Sequence, residues 1–125
     1  HSLLLWKLEY NFNVTGNLYA WFESYLADRK CTVRVRNAQS TEIVIRSGVP
    51  QGSVLGSLLF CLYINDLPLT CPSVILYADD TKLTQVVRQE SHCLALQTEI
   101  DSLCGWFDAW GLEVNPTKSK VMSFT

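Results

Sequence analysis

Residues 74–83 read Val74-Ile75-Leu76-Tyr77-Ala78-Asp79-Asp80-Thr81-Lys82-Leu83, an apolar run that ends in two adjacent carboxylates. The β-branched and aromatic side chains of residues 74–77 follow a Cys-Pro-Ser breaker, and this pattern predicts a buried strand. Aspartate and threonine directly after the run are typical of a hairpin turn. We therefore expect both carboxylates to lie at the tip of a rigid hairpin.

The Asp79–Asp80 pair has two interpretations. Adjacent like charges repel, and burial strengthens the repulsion, so such a pair usually needs a cation. Mg²⁺ binds one or two carboxylates together with substrate phosphates, and two metal ions can hold the attacking and leaving oxygens of a phosphoryl transfer. Alternatively the pair is a solvated β-turn, because aspartate is common in turns. The dipeptide alone favours the turn, so its surroundings must decide.

Composition fits one domain or part of one, with 125 residues of which 48% are hydrophobic. The longest apolar run, Leu58 to Ile64, is shorter than the roughly 20 residues of a membrane span, and no signal-peptide pattern is present. We therefore expect an intracellular protein with no membrane partner. The five cysteines are an odd number without a C-x-x-C pair. This argues against zinc and against a disulfide-linked partner, and predicts reduced, mostly buried thiols.

Charge is unevenly distributed along the chain, whose net charge is -2. Half of the ten basic residues fall in one segment: Arg29, Lys30, Arg34, Arg36 and Arg46. Acidic residues dominate the middle of the second half. This distribution is compatible with one segment that meets phosphates and another that gathers metal.

Two helices and a basic hairpin are predicted before residue 47. Leu3 to Leu8 predicts a short helix, and after Gly16 a 3-4 spacing predicts an amphipathic helix that packs on the core through Leu18, Trp21, Phe22, Tyr25 and Leu26. Residues 31–36 and 42–46 alternate around a turn at 37–40. Val33 and Val35 would then face the core, with Arg34 and Arg36 on the other face near Lys30. A solvated face and a phosphate-contacting face both remain open.

The remaining elements alternate between loops and regular structure. Ser47 to Gly56 predicts a loop of close backbone approach, and Ser53 is a possible N-cap for a helix that is apolar on every side and hence buried. Another helix is predicted from Cys93 to Trp110 and ends at Gly111. After a turn, residues 118–124 alternate like a final strand.

Three stretches in this order resemble the palm of a reverse transcriptase from a non-LTR (LINE-type, jockey-like) retrotransposon. They are SGVPQGSVLGSLLF at 47–60, YINDL at 63–67 and LYADDTKL at 76–83. The similarity extends, more loosely, over nearly the whole chain. It implies an incomplete α+β domain, in which residues 1–46 connect fingers and palm and residues 47–125 form the palm. The palm would be a ferredoxin-like antiparallel sheet on two helices, 55–66 and 91–110.

The resemblance also implies a function and the residues that perform it. The parent chain would be an RNA-directed DNA polymerase that transfers a nucleotide from dNTP to a primer 3′-hydroxyl on an RNA template. Asp79 and Asp80 would bind two Mg²⁺ (or Mn²⁺) ions, and Lys118, or Lys120 instead, would lie near the triphosphate. Pro50, Gln51, Gly52, Tyr77 and Ala78 would form the nucleotide and template pocket, where a bulkier side chain at Gly52 would intrude. Lys30, Arg34 and Arg36 are weaker candidates for contacts with the nucleic-acid backbone.

Members of this family carry a further metal-binding aspartate in an earlier strand, which would lie a few residues before His1. We therefore expect the isolated segment to be inactive. Two alternatives stay open: a catalytically dead remnant or nucleic-acid-binding module, and a group II intron reverse transcriptase, which shares the Pro-Gln-Gly and Tyr-Ala-Asp-Asp features. The expected location is the nucleus or cytoplasm, within a retroelement ribonucleoprotein.

Overall fold

The computed structural model describes residues 1–124, and within them it contains helices and short antiparallel strands. The elements in order are α1 Ser2–Tyr10, α2 Gly16–Leu26, β1 Lys30–Cys31, β2 Arg34–Val35, β3 Ala38–Gln39, β4 Ile43–Val44, α3 Val54–Ile64, α4 Leu67–Thr70, β5 Val74–Tyr77, β6 Asp80–Leu83 and α5 Glu90–Ala109. The predicted α+β class is confirmed. The strands form three separate two-stranded sheets, so the ferredoxin-like palm sheet stays a prediction.

The chain divides into two compact units, His1–Ile64 and Asn65–Thr125. This division reflects packing alone, so the separation of a fingers connection (1–46) from a palm (47–125) stays a prediction. None of the helices within residues 1–124 combines the length and the apolar content that a membrane crossing requires.

The core of the first unit forms where α1 contacts α2 and α3. Its buried members are Leu4 and Leu8 of α1, Phe22 and Leu26 of α2, and Leu59 of α3. The two predicted N-terminal helices are confirmed. The predicted core face of α2 was too wide, because the buried stripe runs through Phe22 and Leu26, four residues apart, whereas Leu18 and Trp21 are about half exposed.

The basic hairpin is confirmed, but its turn and its burial differ from the prediction. β2 pairs with β3 and β1 with β4, so the turn residues are Arg36 and Asn37, not 37–40. The register shifts by one residue between the two ladders, which places a bulge between Ser40 and Ile43. Val33 and Val35 are 62% and 63% exposed, contrary to the predicted core contact. Every residue of these four strands is exposed, so neither face of the hairpin is packed.

The helix α3 is confirmed, although it is not buried on every side. Gly56, Leu59 and Ile64 are buried, whereas Val54 and Leu58 are exposed, because only one side of the helix meets the core. The cysteines differ from the prediction in the same way. All five are free, as expected, but Cys71 alone is buried, since the others lie in the exposed hairpin or on outward faces of α3 and α5.

The second unit joins the β5–β6 hairpin to helices α4 and α5. Helix α4, which was not predicted, contacts both β5 and α5. Helix α5 is confirmed and ends before Gly111, which adopts a left-handed φ of +63°. The predicted final strand at 118–124 is wrong: no strand forms there, and Val121 is 95% exposed. Alternation makes a strand only where a neighbouring strand completes the hydrogen-bond ladder, and no such neighbour lies within residues 1–124.

Candidate active site

The tip of the β5–β6 hairpin carries the two adjacent aspartates, as predicted. Tyr77 pairs with Asp80, which leaves Ala78 and Asp79 as a two-residue turn. Both aspartates are exposed, and within residues 1–124 neither side chain forms a hydrogen bond or an ion pair. Their carboxylate oxygens are therefore available to an external ligand.

The register of the hairpin separates an exposed face from an inner one. Directly paired residues share a face, and faces alternate along a strand, so Tyr77, Asp80, Ile75 and Lys82 lie on one side. All four are exposed, and Tyr77 is 80% exposed. The prediction that this strand is buried thus holds for only one face, which carries Val74 and Leu76. Sequence reasoning did not predict that Lys82 shares this exposed face with Asp80. The spacing of two residues between them in a strand was the signal that could have shown it.

The donor set at the tip suits a hard divalent cation. Carboxylate oxygens are the ligands that Mg²⁺ takes, usually one or two of them, with substrate phosphates and water completing the shell. Within residues 1–124, no group of three or more His, Cys, Asp or Glu side chains is arranged to hold a metal ion. Asp79 and Asp80 alone would therefore supply only part of the ligands that such a cation requires.

The predicted pocket loop lies in the first unit, where backbone conformation explains its glycine. Gly52 adopts a φ of +79°, which L side chains rarely adopt. A Cβ built on Gly52 would meet no protein atom within 4 Å. The conformation, and not crowding by the protein, thus demands glycine here. Gln51 and Gly52 are exposed, and Pro50 is half-buried.

Ser53 connects this loop to the start of α3 through hydrogen bonds. Its Oγ donates to the carbonyl of Pro50 at 2.8 Å and accepts from the backbone N–H of Gly56 at 2.9 Å, which confirms Ser53 as the helix cap. Tyr25 of α2 also donates its hydroxyl to Ser53 Oγ, at 3.3 Å. Upstream, His1 Nε2 lies 2.9 Å from the carbonyl of Gly48.

Lys7, buried in α1, supports the other end of the same helix. Its Nζ donates to the carbonyl of Tyr63 at 2.6 Å and lies 4.9 Å from the centre of the Tyr63 ring. A cation is favourable at this position, because the carbonyls at the C-terminus of a helix carry partial negative charge. Together His1 and Lys7 connect α1 to both ends of the loop and helix that follow.

Lys118 follows a turn built by Asn115. The Oδ1 of Asn115 accepts from the backbone N–H groups of Thr117 at 3.1 Å and Lys118 at 3.3 Å, so the backbone at Lys118 is fixed. Lys120 lies beyond the last hydrogen bond of this turn, which ends at Ser119. Both lysines are exposed, and within residues 65–124 no ion pair joins Lys118 to Asp79 or Asp80.

The basic residues of the exposed hairpin differ in their surroundings. Lys30 forms an exposed ion pair with Glu42 at 2.8 Å, which reduces its availability to phosphate. Arg34 lies on β2, and Arg36 occupies the turn with a left-handed φ of 53°. Arg29 instead donates to the carbonyl of Tyr25 and lies over its ring. Arg34 and Arg36, like Arg46, are thus exposed basic residues of the first unit that form no ion pair within residues 1–124.

Each unit brings together part of the predicted site. Tyr77, Ala78, Asp79 and Asp80 lie in a single turn of the second unit, and Lys118 lies in another. The first unit holds the loop of Pro50, Gln51 and Gly52 and the basic hairpin. The contacts of Tyr25, Ser53 and Gly56 link the loop to two helices, and sequence reasoning recognised only the cap.

The sequence profile of the reverse transcriptase (RNA-dependent DNA polymerase) family matches residues 4–124. The chain belongs to the reverse transcriptase family. The match includes the loop at 47–56, the Asp79–Asp80 hairpin and the turn at Lys118, and it confirms the resemblance on which the sequence prediction rested.

Relatives of this reverse transcriptase segment occur in fruit-fly mobile elements. It is 40% identical over 119 residues to the probable RNA-directed DNA polymerase from transposon BS of Drosophila melanogaster, over 86% of this chain and 13% of the relative. The corresponding protein of the X-element, from the same species, is 38% identical over 116 residues, with the same two shares. The RNA-directed DNA polymerase from mobile element jockey is 31% identical over 134 residues, 99% of this chain and 14% of the relative.

This reverse transcriptase segment therefore spans 13% to 14% of the length of these relatives. No solved structure matched it.

Proposed function

We propose that the chain is the palm segment of an RNA-directed DNA polymerase encoded by a non-LTR retrotransposon. One observation carries the proposal: in a chain that matches the reverse transcriptase family over residues 4–124, the two adjacent aspartates occupy the exposed tip of a hairpin, with side chains that no residue of 1–124 engages. The relatives named above are polymerases of transposons and mobile elements, which favours this type over a group II intron protein.

The proposed reaction joins a nucleotide to a primer. The primer 3′-hydroxyl gives up its proton to solvent and its oxygen attacks the α-phosphate of a dNTP, and pyrophosphate leaves with the electrons of the broken P–O bond. Asp79 and Asp80 would hold Mg²⁺ or Mn²⁺, two ions in the complete enzyme. When bound, these ions lower the pKa of the primer hydroxyl and neutralise the triphosphate. Lys118, whose backbone the Asn115 turn fixes, offers a further cation to the leaving group.

The remaining residues would bind and orient the substrates. Pro50, Gln51 and Gly52 contact the incoming nucleotide and its template base, while Tyr77 and Ala78 contact the primer end. Arg34 and Arg36, with Lys30 as a weaker member, contact the phosphates of template or primer. The partners are then an RNA template, a DNA primer and dNTPs, in the nucleus or cytoplasm.

The fold proposed for this incomplete domain is a ferredoxin-like palm with part of the fingers. Two carboxylates on one turn leave most of the coordination shell of a hard cation to other ligands. We therefore propose that the isolated 125-residue chain is inactive and that its parent is active.

Primer extension by the complete parent protein tests this function. A DNA primer annealed to an RNA template is incubated with dNTPs and Mg²⁺ or Mn²⁺, with and without EDTA. We expect template-directed extension that EDTA abolishes and that excess metal restores. Binding of the primed template without extension in either metal would contradict the proposal and favour a remnant that only binds nucleic acid.

A further inference from the structure

We infer that the hydroxyl of Ser53 positions the Pro50–Gly52 loop for the incoming nucleotide. Tyr25 holds this hydroxyl in place, and Gly56 leaves the space that the loop needs to lie close to α3. The inference rests on the proposed function of the loop and adds three residues that support it from behind. These residues are positioning residues, since they act through the backbone of the loop. All of them belong to the first unit.

The hydroxyl of Ser53 has its full set of hydrogen bonds within the protein. A serine hydroxyl offers one donor and two acceptor sites. Here the donor goes to the Pro50 carbonyl at 2.8 Å, and the acceptor sites receive the Gly56 N–H at 2.9 Å and the Tyr25 hydroxyl at 3.3 Å. One oxygen thus joins the loop, the first turn of α3 and the helix α2.

Gly56 permits the close approach on which this arrangement depends. A Cβ built on Gly56 would lie 2.2 Å from the Pro50 carbonyl oxygen and 2.9 Å from Ser53 Oγ. The first distance is far below van der Waals contact, and the obstacle is backbone that cannot rotate away. Any larger residue must displace the Pro50 carbonyl, and with it Gln51 and Gly52. Gly56 therefore fixes how closely the loop lies on α3.

Tyr25 supplies the connection to α2 and is itself held by ring contacts. Its ring stacks on Trp21 with centroids 5.5 Å apart, and the Arg29 guanidinium lies 5.2 Å from its centre. The next residue, Leu26, is buried in the core of the unit. The Tyr25 hydroxyl is therefore a fixed donor, and it ties the position of Ser53 to the core.

The loop itself has few other attachments. Gln51 and Gly52 are exposed, and within residues 1–124 the Pro50 carbonyl accepts hydrogen bonds from Ser53 alone, through Oγ at 2.8 Å and the backbone N–H at 3.4 Å. Loss of the hydroxyl leaves the longer of these two bonds. We therefore expect its removal to weaken nucleotide binding more than it affects the metal-dependent chemistry at Asp79.

Steady-state kinetics of the complete parent protein test the inference. Ser53→Ala, Ser53→Thr, Tyr25→Phe and Gly56→Ala are compared with the matched control Ser102→Ala, which removes a serine hydroxyl that donates to the Thr98 carbonyl on α5. We expect Ser53→Ala to raise the KM for dNTP roughly five- to tenfold, the equivalent of about one net hydrogen bond. Template affinity and kcat should stay within about twofold, and Ser53→Thr should restore KM because threonine keeps the hydroxyl.

A second readout does not depend on polymerisation. Hydrogen exchange of the amides from residue 51 to residue 56 should be faster in Ser53→Ala and, to a smaller extent, in Tyr25→Phe, while Ser102→Ala leaves it unchanged. Unchanged exchange in Ser53→Ala would overturn the inference whatever the kinetics show. An unchanged KM in an active Ser53→Ala enzyme, or a Ser53→Thr variant no better than Ser53→Ala, would also overturn it. If the variants change amide exchange as expected but the wild-type parent extends no primer, that result would instead count against the proposed function.

Discussion

Ala78 adopts a left-handed backbone conformation directly before Asp79. Its φ is 52°, in a region where a Cβ crowds the following carbonyl at a cost of about 1 kcal/mol. Unlike Asn13 and Asp28, which share this conformation, alanine has no polar side chain to bond locally. Backbone strain of this kind concentrates at functional sites. The strained turn agrees with the role proposed for the hairpin tip.

Replacement by alanine should change the free energy of unfolding in opposite directions at two glycines. Gly52→Ala places a Cβ on a φ of +79° and should lower the free energy of unfolding by about 1 kcal/mol. Gly105→Ala lies inside α5, where a Cβ meets nothing within 4 Å, and should raise it by about 0.5 to 1 kcal/mol. Urea denaturation of both variants checks the pair. A stabilising Gly52→Ala would contradict the left-handed assignment.

The start of β5 and the middle of α5 are joined by a polar cluster of Cys71, Ser73 and Glu99. Ser73 donates its hydroxyl to Glu99 Oε1 at 3.0 Å, and the thiol of Cys71 lies 3.7 Å from Glu99 Oε2. Burial raises the pKa of the Cys71 thiol above its usual value, and the negative charge of Glu99 raises it further. The thiol is therefore held in its neutral form, which is the unreactive one.

The cluster predicts an order of thiol reactivity. With iodoacetamide at pH 8, Cys71 should be the slowest of the five cysteines to react, and Glu99→Gln should speed its labelling without changing that of Cys104. Labelling followed by residue-resolved mass spectrometry measures both rates. Equal rates at Cys71 before and after the Glu99 change would show that the carboxylate does not act on the thiol.

The same raised pKa fixes a sign for the dependence of stability on pH. Below the pKa of the unfolded thiol, Cys71 is protonated in both states and the contribution of the buried thiol is fully present. As pH rises further, the unfolded chain releases its proton first, so this contribution is lost as pH approaches the folded pKa.

Local patterns predicted elements better than they predicted faces. Spacing was sufficient for α1, α2 and α5 and for the hairpin at Asp79, because helix periodicity and turn residues act within a few positions. Burial was wrong at Val33 and Ile75, since alternation does not say whether a second layer covers a strand. The strand predicted at residues 118–124 does not form because no partner strand lies beside it within residues 1–124. The four-residue α4 is too short to show a helical period.

The residues of the candidate site likewise fall into those that local motifs predicted and those whose contribution depends on packing between elements. Asp79, Asp80 and the cap at Ser53 are carried by short motifs. The family resemblance supplied the roles proposed for the two aspartates, whereas the cap followed from the position of Ser53 before the helix. The contribution of Tyr25 could not be predicted, because it depends on how α2 packs beside the loop. Gly56 was visible as a glycine, but only the position of the Pro50 carbonyl explains why it must be one.

At the scale of the whole molecule, the local distribution of charge is more informative than the net charge. The net charge is -2, yet Arg34 and Arg36 lie together on an exposed hairpin, while Asp79 and Asp80 lie on an exposed turn of the other unit. Cations that neutralise phosphates release counterions, so their contribution is measurable as a salt dependence of binding.

Template binding should depend on salt through the arginine pair. In the complete parent protein, Arg34→Ala and Arg36→Ala should each reduce the slope of log affinity against log salt by about 1. Arg88→Ala removes an exposed cation of the second unit and should leave the slope unchanged. Affinity measured over a series of salt concentrations decides this. Slopes that match the wild type in both hairpin variants would remove the hairpin from the nucleic-acid interface.

The central claim is that Asp79 binds catalytic metal in an RNA-directed DNA polymerase. The most direct test compares Asp79→Asn with Asp108→Asn in the complete parent protein, since Asp108 is an exposed aspartate of the same unit on α5. Primer extension and template affinity are measured together. We expect Asp79→Asn to lose more than roughly 100-fold in extension, beyond the typical loss for groups that only support a metal ligand, while template affinity stays near the wild type and Asp108→Asn remains active. Extension by Asp79→Asn at the level of Asp108→Asn, or a loss of template binding without a loss of chemistry, would contradict the claim.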